Sequence, residues 1–277
     1  MPVSNSSGSL ADPLVMLGGG RMGEALLGGL LAAGAASVTV VEKDAPRRRQ
    51  LEERYPSVSV VAGTGDLPVP GPAVDFVLAV KPADAAKVCR DLVATGVEIR
   101  RVVSIAAGVT LASLEEVLGP VAVIRAMPNT PALVGASATA ISGGSAAGPR
   151  DLEWARDVLE AVGVVVELPE SSLDAVTGLS GSGPAYVFMM AEALIDAGVL
   201  VGLTRPVAAH LAVQTLLGSA RLLAETGEEP SALRAAVTSP GGTTAAGLRA
   251  LEAGGLRHAV LEAVSAATAR ARELGAG

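Results

Sequence analysis

Residues 14–41 read LVMLGGGRMGEALLGGLLAAGAASVTVV, and their order decides the fold. Leu14–Leu17 is an apolar run with the length of a buried strand. Gly18, Gly20 and Gly23 follow at the spacing G-x-G-x-x-G. An amphipathic run over residues 24–33 closes at Gly34, and Val38–Val41 is a second apolar run. Strand, glycine turn, helix and strand within about thirty residues is the context in which such glycines hold a dinucleotide. The first permits a tight turn, the second lets a pyrophosphate approach the backbone, and the third lets helix and strand pack closely. The phosphates then lie on the positive end of the helix.

The alternation continues downstream. Residues 74–80, 102–105 and 121–124 read as buried strands, and residues 136–141 and 164–168 are two more candidates. Residues 83–94, 111–118 and 150–162 have helical patterns. This predicts a doubly wound, mostly parallel sheet. Beyond about Ser171 strand patterns stop. Alanine- and leucine-rich helical patterns take over at residues 183–197, 205–225, 231–237, 243–252 and 257–274. The expected fold is α/β: an N-terminal Rossmann-like doubly wound sheet over residues 13–172, followed by an all-helical domain over 173–277. Residues 1–12 are read as a disordered tail.

A doubly wound sheet places its ligand beyond the carboxyl ends of the strands. Three loops belong there: Ala79-Val80-Lys81-Pro82, Ser104-Ile105-Ala106-Ala107-Gly108, and Arg125 through Pro131. Lys81 suits neutralising a phosphate or orienting a nicotinamide, or is a solvated loop lysine. Asn129, between two prolines, suits a hydrogen bond to a carboxamide or substrate, or is a turn residue. Glu42 stands nineteen residues after the last glycine, where an acid takes ribose hydroxyls and favours NAD. Lys43, Arg47, Arg48 and Arg49 follow at once. Such a cluster can hold a 2′-phosphate and favour NADP, or form the solvated face of a helix. Both NADP(H) and NAD(H) stay open.

The 277 residues suffice for two domains and a sizeable core. A net charge of −7 and only 2% aromatic residues argue against a nucleic-acid partner. The single cysteine, Cys89, excludes an internal disulfide framework and reads as a buried small hydrophobe. Residues 1–12 lack a signal-peptide pattern, so the expected location is cytoplasmic. The most apolar stretch, residues 186–203, contains Glu192 and Asp196. That suits a helix buried between subunits better than a membrane span.

The helical half carries two glycine-rich strings. Residues 239–248 read SPGGTTAAGL: a helix start whose free N–H groups, with the Thr243 and Thr244 hydroxyls, can grip a small carboxylate. Residues 177–186 read TGLSGSGPAY, a second helix start rich in small groups, or a hinge. Strong acids and bases are scarce. The only lysines are Lys43, Lys81 and Lys87, and the only histidines, His210 and His258, lie on helical patterns. A single Cys and two separated His make no metal site. Hydroxyls and N–H groups without a strong base suit a substrate already reactive toward hydride, such as a protonated cyclic imine.

These residues resemble the pyrroline-5-carboxylate reductase family. The likeness runs from about Pro13 to Gly275 through LGGGRMGEAL, AVKP, SIAAGV, IRAMPNTP, TGLSGSGPAY and SPGGTTAAGL, in the family's order. The resemblance implies reduction of L-1-pyrroline-5-carboxylate to L-proline by NADPH or NADH. It implies a helical domain that interlocks with a partner's in a homodimer, with assemblies up to pentamers of dimers. Cofactor contacts then fall on Leu17, Gly18, Gly19, Gly20, Arg21 and Met22, on Ala79, Val80, Lys81 and Pro82, and on Ile105, Ala106 and Ala107. Glu42 and Asn129 join them from the reading of the residues themselves, Glu42 departing from the Ser- or Thr-rich phosphate pocket of strictly NADP-preferring members. The substrate carboxylate falls on Gly242, Thr243 and Thr244, near Ser182 and Gly183, and Thr244 bonds the imine nitrogen as the catalytic hydroxyl. The family's glutamate in this region corresponds to one of Glu225, Glu228 and Glu229, without a choice among them.

Two other readings compete. A β-hydroxyacid dehydrogenase shares the two-domain plan but needs an acid–base lysine on the first long helix of the second domain, where this chain has none. A nucleotide-binding regulator without turnover fits an eroded PGG region better than the intact Thr243–Thr244 pair.

Overall fold

A computed structural model of the chain describes residues 12–67 and 73–275. The tail expected over residues 1–12 lies outside the described residues except for Asp12, which pairs with Arg100. The first half alternates strand and helix: β1 (Leu14–Leu17), α1 (Arg21–Ala32), β2 (Val38–Val41), α2 (Ala45–Arg54), β3 (Ser59–Val61), β4 (Val74–Leu78), α3 (Pro82–Ala94), β5 (Ile99–Ser104), α4 (Leu111–Leu118), β6 (Ala122–Met127), β7 (Ser137–Gly143), α5 (Pro149–Glu160) and β8 (Gly163–Glu167). Helices follow: α6 (Leu173–Val176), a π-helical turn at Thr177–Gly181, α7 (Gly183–Leu200), α8 (Arg205–Thr226), α9 (Pro230–Ala236), α10 (Thr243–Ala253) and α11 (Leu256–Gly275).

The strands form one sheet in the order β3-β2-β1-β4-β5-β6-β7-β8. All pairs are parallel except β6–β7, which is antiparallel. Strand alternation explains the double winding. Leu14 and Met16 of β1 join a core with Leu26, Leu27 and Leu30 of α1, Leu51 of α2 and Trp154 of α5. Val15 and Leu17 join the opposite core with Cys89 and Leu92 of α3 and Leu114 of α4. Successive side chains point to opposite faces, so a strand covered on both sides is apolar throughout. Burial pushes the Cys89 thiol up to about 11, so it stays neutral and is no nucleophile.

The described residues form two compact units. One runs through Gly181 and includes the residues from Ala267 onward; the other is Ser182–Ala266. In the second unit α7 and α8 approach closely, since a Cβ on Gly198 would meet that of Ala208 at 2.8 Å. Its large apolar side chains are mostly exposed in the single chain, among them Phe188, Met189, Leu211, Val213 and Leu261. Two helical stretches, Glu170–Leu200 and α8, are long and apolar enough to cross a membrane by length and composition.

A buried carboxylate sits within the sheet. Asp75 of β4 is 1% exposed and accepts two hydrogen bonds from Arg101 of β5, both at 3.0 Å. The Arg101 guanidinium in turn lies 4.5 Å from the centre of the Trp154 ring. Asp75→Asn leaves Arg101 to Asp151, 3.5 Å away, and is expected to destabilise the first unit by about 1–3 kcal/mol. Urea unfolding followed by the fluorescence of Trp154, the chain's one tryptophan, measures it; wild-type stability would contradict this account.

Candidate active site

The glycine turn joins β1 to α1. The Gly18 N–H donates to the Val41 carbonyl at 2.8 Å, tying the turn to the end of β2. Gly18 has φ +107°, and a Cβ there would lie 2.6 Å from the Ala79 carbonyl oxygen. A Cβ on Gly23 would lie 2.3 Å from the Gly18 carbonyl oxygen. Both positions therefore need glycine. Gly19, which the fingerprint leaves free, is buried, and a Cβ there would press on the Leu51 side chain at 2.4 Å. Gly20 caps α1 without a side-chain hydrogen bond. The first N–H groups of α1 thus keep their capacity for an anion, and the bare backbone fits a dinucleotide's pyrophosphate.

A cleft of about 490 Å³ opens beside this turn. It brings together Leu17, Gly18, Gly20, Glu42, Ala79, Val80 and Lys81, as expected at the carboxyl ends of parallel strands. Gly19, Arg21, Met22, Pro82, Ile105, Ala106, Ala107 and Asn129 do not line it. Met22 packs on the core, Ala106 is buried, and Pro82 opens α3 just after its N-cap, Lys81. The far wall was not foreseen: Ala62, Gly63 and Thr64 after β3, with Asp84, Lys87, Val88 and Asp91 from α3. The short alternation in SVSVV, residues 57–61, is the signal for that strand.

The acid and the basic cluster prove to be one scaffold. Glu42 accepts from the Gly19 N–H through Oε2 and from the Asp44 N–H through Oε1, both at 2.9 Å. Arg47 donates from Nε to the Gly19 carbonyl at 2.7 Å, from Nη1 to Gln50, and from Nη2 to Glu24. Arg48 donates to the Glu42 and Lys43 carbonyls, and Lys43 pairs with Asp84 at 2.9 Å. That exposed pair lowers the Asp84 pKa and raises that of Lys43, chiefly through the hydrogen bond between them.

Asn129 is buried and engaged with the protein. Its Nδ2 donates to the Ser180 carbonyl at 2.9 Å, and its Oδ1 accepts from Ser137 Oγ and the Ala138 N–H. It fastens the π-helical turn to the start of β7. Arg125, Ala126 and Met127, read as a loop, instead continue β6, because β7 pairs with them antiparallel.

In the second unit α10 starts at Thr243 with Gly242 as N-cap and no side-chain cap. Its first-turn N–H groups and the exposed Thr243 and Thr244 are therefore available to a carboxylate. A Cβ on Gly242 would lie 2.4 Å from Ser239 Oγ, so a side chain there would displace that hydroxyl. The other glycine-rich string opens α7 at Gly183, as read, but a π-helical turn precedes it. Ser182, the N-cap of α7, has right-handed helical φ and ψ, and the π-helical turn runs up to it. Gly183 and Pro184 thus mark a change of helical pitch. Glu225 lies in the last turn of α8, Glu229 caps α9, and Glu228 lies between; all three are exposed. His210 and His258 are exposed within α8 and α11, and no cluster of metal-ligating side chains occurs among the described residues.

Residues 170–274 match the family described as pyrroline-5-carboxylate reductase dimerisation, and residues 13–108 match NADP oxidoreductase, coenzyme F420-dependent. The pyrroline-5-carboxylate reductase of Synechocystis is 46% identical over 270 residues, covering 95% of this chain and 98% of that protein. The chain belongs to the pyrroline-5-carboxylate reductase family. The Mycobacterium tuberculosis reductase is also 46% identical, covering 94% of this chain and 96% of that one. The solved structure of the Coxiella burnetii reductase superposes with a TM-score of 0.88 at 35% identity, covering 95% of this chain and 98% of that one. A Plasmodium falciparum member, solved with NADP bound, superposes with a TM-score of 0.80 at 28% identity, covering 95% and 98%.

The reductase turn is directly testable. Gly18→Ala forces a Cβ toward Ala79 and an unfavourable φ, and is expected to weaken NADH and NADPH binding by about tenfold or more. Quenching of protein fluorescence on coenzyme titration reads this; wild-type affinity would contradict the turn as the phosphate cradle.

Proposed function

We infer that this chain reduces L-1-pyrroline-5-carboxylate to L-proline, the last step of proline biosynthesis, with NADPH or NADH. The observation that carries this reading is the uncapped start of α10 at Gly242, Thr243 and Thr244, within residues that match the family's dimerisation region. The bound nicotinamide supplies the hydride. The protein's own groups supply position. The N–H groups at Gly242, Thr243 and Thr244 hold the substrate carboxylate at the positive end of α10, with Ser182 and Gly183 assigned to the same anion. The Thr244 hydroxyl bonds the ring nitrogen. The protonated imine already carries its proton on nitrogen, so hydride addition to the adjacent ring carbon yields the amine without an enzymic acid. The lack of any lysine in the helical half fits that chemistry.

The matched dimerisation region supports a homo-oligomer, and the exposed apolar side chains of α7 and α8 supply surface for it. A pentamer of such dimers and a cytoplasmic location belong to the same proposal; light scattering of the purified protein reads the first. Oxidation of NADH and of NADPH, followed in parallel with DL-pyrroline-5-carboxylate, tests the reaction. Proline formation with either coenzyme is expected; coenzyme binding without proline sinks the reading. Thr244→Ala is expected to lower kcat by about tenfold to a hundredfold while leaving coenzyme affinity unchanged. Full kcat in that variant would remove Thr244 from the chemistry.

A further inference from the structure

The contacts around Glu42 decide which coenzyme this site takes. Each carboxylate oxygen is fixed by one main-chain N–H, Oε2 by Gly19 in the glycine turn and Oε1 by Asp44 before α2. A carboxylate oxygen has more than one acceptor site, so each retains capacity toward the cleft that Glu42 lines. Two fixed acceptors beside a phosphate-binding turn match the diol of an adenosine ribose.

The cations that a 2′-phosphate needs are engaged elsewhere. Arg47 spends Nε, Nη1 and Nη2 on Gly19, Gln50 and Glu24. Arg48 donates to the carbonyls of Glu42 and Lys43. Lys43 holds Asp84, and Arg49 does not line the cleft. The charged groups that line it balance: Lys43, Lys81 and Lys87 against Glu42, Asp84 and Asp91. The cleft therefore carries no excess of positive charge for a dianion, and Lys43 beside Glu42 is paired with Asp84. The basic cluster that suggested NADP in the sequence therefore braces the acid that disfavours it.

We propose that Glu42 is the coenzyme-selecting residue and that this chain prefers NADH to NADPH. The carboxylate accepts from the two ribose hydroxyls of NADH, and it repels the 2′-phosphate of NADPH at close range. The proposal rests on the reductase reading above and narrows its coenzyme.

Isothermal titration of the full chain with NADH and with NADPH, without imine substrate, tests it. The wild type is expected to bind NADH about tenfold or more tightly than NADPH, the order of effect that like charges in contact produce. Adenosine 5′-monophosphate and adenosine 2′,5′-bisphosphate are expected to show the same ranking. Glu42→Gln removes the charge, keeps one amide oxygen for a main-chain N–H, and is expected to bring the NADH:NADPH ratio close to unity. Equal or tighter NADPH binding by the wild type overturns the proposal. So does an unchanged ratio in a Glu42→Gln protein that unfolds at the wild-type temperature. Should that variant fail to fold, the wild-type ratio with the two adenosine phosphates decides alone. Selective NADH binding without proline formation would instead overturn the reductase reading and leave the selector in place.

Discussion

The close approach of the glycine turn to two strand ends is the constraint on which the nucleotide half depends. Gly18 is tied to Val41 at the end of β2 and lies where any side chain would strike the Ala79 carbonyl beyond β4. Gly23 then lets the first turn of α1 rest on Gly18. Three consecutive features of the cleft follow from that one contact. The turn is flat enough for a pyrophosphate, the N-terminus of α1 is aimed along it, and the ends of β1, β2 and β4 are drawn to one level. The sheet can be parallel through β6 because α1 to α4 cover both its faces.

Around this turn the charged residues brace rather than bind. Glu42 and Arg47 grip Gly19 from its N–H and its carbonyl, and Arg47 continues to Glu24 on α1. The bracing links the turn, the end of β2, α1 and α2. A site that relies on position rather than on an enzymic base gains from such rigidity, because misplacement is costly when orientation supplies the rate.

How much of this was legible depends on the range of the interaction. The apolar runs of β1, β2 and β4 read directly, since strands buried on both faces carry an unbroken apolar pattern. The start of α10 read directly too, because Pro240, Gly241 and Gly242 act locally. β3 was not foreseen, because the alternation at residues 57–61 that signals it is short, and with it went Ala62 to Thr64 of the cleft wall. Glu42 was legible from spacing, but its partners were not. Arg47 reaches 28 residues back to Gly19, and its charge alone reads equally as a phosphate ligand or a solvated face. Asn129 was ambiguous between its prolines, and its partner Ser180 lies 51 residues away. The start of α7 at Gly183 also read directly from Gly183 and Pro184, whereas the π-helical turn before it left no local signal.

The central claim is hydride transfer from a reduced nicotinamide coenzyme to a cyclic imine acid. NADH carrying deuterium at carbon 4 of the nicotinamide, prepared separately in each stereochemical form and incubated with the chain and pyrroline-5-carboxylate, tests it most directly by mass spectrometry of the product. The account predicts proline labelled on the ring carbon beside nitrogen, from one of the two forms only. Unlabelled proline from both forms, or coenzyme binding without proline, would contradict it.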